Sequence, residues 1–268
     1  MPGRWRDHDE HELTPASLEA LFDNEIPCIR VKGFATPEEC RAFVRAMDTV
    51  GLNKEYRAIG PNVKFRPRYI GVPQFEYRKR TKADYFATVE AAYADQAKVF
   101  ELCGFNPIER LAGLLRKSAP GKDVRIAQEP GFGRYYAGII RDITGGTNLH
   151  LDFARFTAPD YAIGANDAQI ATNFYADGSP DWGETTVHNL HFDPGVAPGQ
   201  YWESAPFDPT RVEGVERISF KALPGDLVMF NSRCPHRVGF NPGDDGKRRM
   251  GIGSFVGRAP SGGLVLWS

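Results

Sequence analysis

Lys221-Ala-Leu-Pro-Gly-Asp-Leu-Val-Met-Phe230, running on into Asn231-Ser-Arg-Cys-Pro-His236-Arg-Val238, is the stretch that decides the fold of this chain. Pro224-Gly225-Asp226 is turn chemistry, since proline presets φ and glycine tolerates the left-handed region. The apolar run Leu227–Phe230 that follows reads as a strand bounded by turn signals. The next turn then presents His236.

The same texture extends back to Gly121. Short β-branched and aromatic runs recur between Gly, Pro, Asn and Asp turns, at 134–142, 169–175, 184–190, 218–223, 226–230 and 250–256. The first half of the chain reads differently. Residues 26–34 alternate like a half-buried strand, and Thr36-Pro37-Glu38-Glu39 then carries an N-cap, a first-turn proline and first-turn acids. From Lys82 to about Cys103 the chain has Ala, Glu, Lys and Gln with no Gly or Pro, and a further helix is expected over 107–117. Helices first and short strands after them predict an α+β chain whose C-terminal half is a β-sandwich or jelly roll. Residues 1–14 are charged and expected to be a mobile terminus. Residues 15–268 are expected to form a single domain, helical to about 122 with the β core at about 123–258.

Composition narrows the function. The 268 residues are 41% hydrophobic, enough for one sizeable core, and the formal net charge of −1 gives no broad positive field for nucleic acid or an anionic membrane. The start is too polar for a signal peptide and no apolar run reaches membrane-span length, so the expected location is the cytoplasm and the expected partner a small-molecule substrate. Oligomeric state is not legible. Cys28, Cys40, Cys103 and Cys234 lack CxxC spacing and are expected to be reduced thiols.

The chemistry sits in Asn148-Leu-His150-Leu-Asp152-Phe153 and in His236. Side chains two apart on a strand share a face, so His150 and Asp152 can reach one cation, and His236 would complete the set from another strand. Two imidazoles and a carboxylate on one face suit Fe(II) and leave open coordination positions. His191-Phe-Asp193, with His188 just before it, offers the same spacing. The following Pro194-Gly195 points to a turn there, so the first pair is preferred, with His188 and His191 read as surface or pocket-rim residues.

Pro224-Gly-Asp-Leu-Val-Met-Phe230, then His236-Arg-Val238, then Arg248-Arg249, resembles the C-terminal barrel signature of the 2-oxoglutarate/Fe(II) oxygenases, and Gly183-Glu184-Thr185 resembles a strand of that superfamily. The resemblance spans residues 125–258. It implies a double-stranded β-helix (jelly-roll, cupin-like) core with N-terminal helices packed on one sheet. It also implies Fe(II) on His150, Asp152 and His236, 2-oxoglutarate as co-substrate with dioxygen, and a basic anchor for the distal carboxylate of 2-oxoglutarate. Arg248 and Arg249 are the candidates; only one can face inward, and Arg248 is preferred. The same likeness puts Tyr135, Tyr136 and Asn173 on strands beside the metal, where they could hydrogen-bond co-substrate or substrate or simply pack.

Residues 25–34 and the ending Gly253-Ser-Phe-Val-Gly257 further resemble a small bacterial group of N-acyl amino-acid hydroxylases and carrier-independent aliphatic halogenases. Halogenating members of that group replace the carboxylate ligand by a small residue. Asp152 implies hydroxylation of an unactivated C–H bond on a free-standing small molecule, such as an amino acid or its derivative. Desaturation or ring closure on the same iron, and a non-catalytic ligand-binding jelly roll, stay open from the residues alone.

Overall fold

The computed structural model describes residues 5–52, 54–56, 66–190, 209–240 and 246–268. Among the described residues there are five α-helices, α1 (Pro15–Phe22), α2 (Pro37–Val50), α3 (Lys82–Cys103), α4 (Pro107–Ser118) and the short α5 (Ala154–Thr157); α2, α3 and α4 stand close to the expected positions, and α1 was not expected. Their ends follow from local chemistry. Thr36 and Thr81 each close a capping box, with Glu39 and Asp84 respectively, and Gly104 ends α3 at φ 64°.

In chain order the strands are β1 (Glu10–His11), β2 (Cys28–Val31), β3 (Lys54–Glu55), β4 (Arg68–Ile70), β5 (Val124–Ile126), β6 (Gln128–Glu129), β7 (Gly133–Arg134) and β8 (Ile139–Asp142). They continue with β9 (Thr147–His150), β10 (Ala168–Asp177), β11 (Thr185–His188), β12 (Arg217–Phe220), β13 (Leu227–Phe230), β14 (His236–Val238), β15 (Met250–Arg258) and β16 (Leu264–Trp267). Among the described residues a large sheet runs β1-β2-β13-β10-β15-β8-β4-β3, with β16 and β5 attached to β15. A second sheet runs β12-β11-β14-β9. Two sheets facing each other, with helices on the outer face of the larger one, make the α+β jelly roll that the sequence implied.

Strand β10 shows how the layers are held. Ile170 and Phe174 point outward into a core built with α1, α2 and α4, while Ala171 and Tyr175 point inward to meet Val187, Phe220 and Phe230 between the sheets. Both faces are covered, so the strand is buried almost end to end, and its buried polar residues Gln169, Thr172 and Asn173 each take a hydrogen-bond partner. Phe174 meets the rings of Phe34, Phe43 and Phe105 at centroid distances of 5.4–5.7 Å.

Two expectations are corrected. Residues 5–14 are built into the fold: β1 pairs with β2, Trp5 is 5% exposed, and Glu10 forms an ion pair with buried Arg30. A charged segment can be held this way when its charges find partners on the adjoining strand. The expected strand over 134–142 is broken at 135–138, where Gly138 takes φ 94°, leaving β7 and β8 in different sheets.

Candidate metal centre

His150 ends β9 and His236 opens β14; the two strands are antiparallel neighbours with these histidines as partners. Asp152 lies just beyond β9 and is placed by its own backbone. Its N–H donates to the Ser232 carbonyl at 2.8 Å, and its carbonyl accepts from Ser232 Oγ at 3.0 Å and Gln169 Nε2 at 3.1 Å. With the main chain so fixed, the carboxylate faces the two rings. Asp152 Oδ2 lies 3.7 Å from both His150 Nε2 and His236 Nε2, and the ligand atoms of all three residues fall within 4.8 Å of one another.

The rings are oriented for donation. His150 Nδ1 is 2.7 Å from the Asn148 carbonyl and His236 Nδ1 is 2.9 Å from the Cys234 carbonyl. A carbonyl only accepts, so each Nδ1 carries the hydrogen and each Nε2 presents its lone pair. Burial, and then the neighbouring His150, hold the His236 imidazole well below its usual pKa and therefore neutral. Burial pushes the Asp152 carboxyl up, opposed by His150 and Arg141. A divalent cation would reverse that cost, so the donor set fits a metal better than it fits an empty cleft.

A second feature fits 2-oxoglutarate. Arg249 is 2% exposed, and its Nε donates to the Gly183 carbonyl at 3.0 Å while Nη2 donates to Thr185 Oγ1 at 2.8 Å and Tyr175 Oη at 3.1 Å. Burial lowers its pKa. Among the described residues no carboxylate lies in ion-pair range of it, and a buried guanidinium without a counter-anion is costly. A carboxylate from a bound ligand would supply that anion, and Nη1 of Arg249 keeps two N–H donors to offer it.

Arg248, the preferred anchor from the sequence, faces the other way. It forms a two-pronged ion pair with Asp48 of α2, at 2.8 and 2.9 Å, on the outer surface. Odd positions of β15 face between the sheets and even ones face the helices: Phe255 packs with the inner cluster, and Met250, Ile252 and Val256 with the outer. Arg249 therefore shares the inner face.

Asn173 lies on that inner face and accepts a hydrogen bond from Arg141 Nη2 at 2.6 Å. Tyr136 does not reach it. Its buried hydroxyl donates to the Gly138 carbonyl and accepts from Gln96, and its ring packs on Tyr93 among the helix-side aromatics. Tyr135 is likewise buried, donating to Glu129. His188 points away from the triad on β11, where Arg217 and Arg237 face it, and its pKa is lowered by burial and these charges. His191 and Asp193 lie outside the described residues.

Three contributors were not singled out from sequence: Arg141, Tyr175 and Tyr56. Thr185 appeared only as part of the Gly-Glu-Thr resemblance, yet Gly183 and Thr185 supply two of the three partners of Arg249. Gly183 adopts φ 75°, and a Cβ there would come within 3.2 Å of Arg249 Cδ.

A jelly roll with a His/Asp/His centre and an inward arginine on the following strand is a 2-oxoglutarate/Fe(II)-dependent oxygenase acting on a small molecule. Within that class, a family model described as carrier-protein-independent halogenase WelO5 matches residues 6–262, and the chain belongs to that family. The leucinostatins biosynthesis cluster protein S of Purpureocillium lilacinum is 30% identical over 208 residues, 74% of this chain and 84% of the relative. The L-gamma-glutamyl-L-propargylglycine hydroxylase of Streptantibioticus cattleyicolor is 30% identical over 137 residues, 50% of this chain and 48% of the relative. A solved N-substituted L-amino acid dioxygenase from Burkholderia ambifaria shares the fold, with a TM-score of 0.58 at 14% identity over 95% of this chain and 91% of that one. Among the described residues no helix is long and apolar enough to cross a membrane.

Proposed function

We propose that the enzyme hydroxylates an unactivated C–H bond of a free-standing amino acid or amino-acid derivative. His150, Asp152 and His236 would hold Fe(II), and Arg249 would grip the distal carboxylate of 2-oxoglutarate. The observation that carries this reading is the Asp152 carboxylate, fixed 3.7 Å from both imidazole Nε2 atoms. A carboxylate in that position leaves no vacancy for a halide, in a family whose model is described by a halogenase. A relative described as a hydroxylase of an amino-acid dipeptide supports the same direction.

When bound, iron and 2-oxoglutarate supply dioxygen activation coupled to decarboxylation of the co-substrate to succinate. The chain supplies the rest. Asn148 and Cys234 carbonyls fix the imidazole tautomers, while Ser232 and Gln169 fix the Asp152 backbone. Tyr175, Thr185 and Gly183 hold the Arg249 fork in one orientation. Val187, Phe220 and Phe230 line the space between the sheets and keep water from it.

The test is aerobic incubation with Fe(II), 2-oxoglutarate and a panel of amino-acid derivatives, reading succinate and product mass. Gain of one oxygen atom supports the reading. Loss of two hydrogens, or incorporation of chlorine in chloride buffer, overturns it.

A further inference from the structure

Arg141 stands on β8 opposite Gly251 of β15 and Tyr69 of β4. Its neighbour Ile140 faces the helix-side core, so Arg141 faces between the sheets, on the same side as Asn173 and Arg249. Its guanidinium is laid across Gly253. A Cβ at that position would lie 2.6 Å from Arg141 Nη2 and 2.9 Å from Asn173 Oδ1. The missing side chain and the 2.6 Å hydrogen bond to Asn173 thus hold the fork in one place.

We propose that Arg141, assisted by the Tyr56 hydroxyl, receives a carboxylate of the substrate, so that this enzyme acts on small organic acids. The inference rests on the hydroxylase reading above and names its substrate class. Charge accounting supports it. A metal dication, the Asp152 carboxylate, a doubly negative 2-oxoglutarate and Arg249 cancel one another, and Arg141 is the cation left over. Among the described residues no carboxylate lies in ion-pair range of it, although its field reaches Asp152 and His236. A guanidinium has five N–H donors, and Asn173 occupies one nitrogen.

Position separates substrate from co-substrate. Arg249 is fully enclosed, as suits the deep end of a ligand held throughout turnover. Arg141 is half-buried and is met by Tyr56, which directly follows the edge strand β3. Tyr56 stacks between Tyr69 and Phe75, with centroids 4.5 and 5.4 Å away, giving the acid-binding group an aromatic wall.

The experiment uses the full chain, anaerobic, with Fe(II) and 2-oxoglutarate, titrated with N-acetyl-L-amino acids and the matching C-terminal carboxamides. Binding is read by calorimetry and by perturbation of the visible band of the chelate. At least one acid should bind about tenfold or more tightly than its amide. Arg141→Gln should weaken that acid about 30-fold or more, as expected for truncating a charge-assisted pair, and leave the amide unchanged. Arg141→Lys, which keeps the charge without the fork, should recover part of the preference. Affinity for 2-oxoglutarate should stay within threefold of wild type in both variants, and their melting midpoints report that they fold. The inference is overturned if no acid outbinds its amide, if Arg141→Gln keeps the preference, or if it weakens 2-oxoglutarate as much as the acid, which would place Arg141 on the chelating carboxylate instead. A wild-type protein that forms no chelate band at all counts against the hydroxylase reading, whereas a band without acid preference counts against this inference alone.

Discussion

His150 and His236 are cross-strand partners whose ring centroids lie 4.2 Å apart, and each ring hydrogen-bonds through Nδ1 to the carbonyl two residues before it. This near-symmetrical arrangement places two Nε2 lone pairs over one carboxylate before any metal arrives. It means that the backbone of β9 and of the turn before β14, rather than other side chains, orients the two imidazoles.

Replacing either histidine should therefore remove the site without unfolding the protein. His150→Ala and His236→Ala should each abolish the weak visible band formed anaerobically with Fe(II) and 2-oxoglutarate, while far-ultraviolet circular dichroism stays that of wild type. A band of full strength in both variants would place the metal elsewhere.

Arg249 and Arg248 should behave oppositely. Arg249→Ala deprives a buried carboxylate of its partner and should weaken 2-oxoglutarate by about 2–5 kcal/mol, measured by equilibrium titration. Arg248→Ala removes an ion pair with Asp48 whose side chains are 35% and 53% exposed, worth about 0–1 kcal/mol of stability, and should leave 2-oxoglutarate binding alone. The reverse result would show that the inward face of β15 has been misassigned.

The error of one residue at this pair shows where the sequence stops being readable. His150, Asp152 and His236 could be found because their chemistry and order are local: a two-residue spacing, and a turn ending on histidine. The inward arginine could not be chosen that way. Its strand neighbours on the same face are Gly251 and Gly253, which have no side chains to mark an inner surface, and both arginines precede the first paired residue, Met250. Between Tyr175 and Asp177 the pairing slips by one, which further blurs the count. Contacts far along the chain show which guanidinium is outside: Arg248 pairs with Asp48, 200 residues away, while Arg249 is held by Gly183, Thr185 and Tyr175.

Other parts of the fold divide along the same line. Helix α2 was legible because Thr36, Pro37 and Glu39 are cap signals at its start, whereas α1, with the same kind of start at Thr14 and Pro15, was not read from the sequence. The placement of Trp5, the ion pairs of Arg30 with Glu10 and Asp226, and the approach of Tyr56 to Arg141 depend on contacts between residues 19 to 196 positions apart, which periodicity cannot report. Tyr136 was a reasonable pocket candidate from its strand-like setting. The turn at Gly138 carries it to the helix side instead.

Glu129 makes acid stability testable. Its carboxylate accepts from Lys82 Nζ at 2.5 Å, from the Ala162 N–H at 2.7 Å and from the Tyr135 hydroxyl. Burial raises its pKa, but the hydrogen bonds from Lys82 and Tyr135 outweigh that and bring it below the usual 4.5. A group with a depressed folded-state pKa stabilises the fold above its unfolded pKa and loses that contribution as pH falls through the folded value. Glu129→Gln should cost about 2 kcal/mol at neutral pH in urea unfolding, the scale of hydrogen bonds to a charged group. The gap from wild type should close as pH falls below 4.5. A gap independent of pH would mean that the carboxylate charge contributes nothing there.

The last expectation concerns Asp152, because the third protein ligand decides what the iron centre can transfer. Wild-type protein in abundant chloride should give hydroxylated and no chlorinated product, since the Asp152 carboxylate would occupy the place beside His150 and His236 that a halide would need. Asp152→Gly removes that ligand and one negative charge, so an anion can enter at little electrostatic cost. The backbone around it should persist: Ser232 and Gln169 hold the main-chain N–H and carbonyl of residue 152, not its side chain. The variant should consequently fold, form the 2-oxoglutarate chelate more strongly with chloride or bromide present than without, and turn over more slowly. Slower turnover is expected because the variant lacks one of the three side chains that would hold the metal. Product mass spectra with and without chloride, alongside iron titrations, check each step. Chlorinated product from wild type, or full hydroxylation and unchanged iron affinity in Asp152→Gly, would remove Asp152 from the ligand set and with it the central assignment.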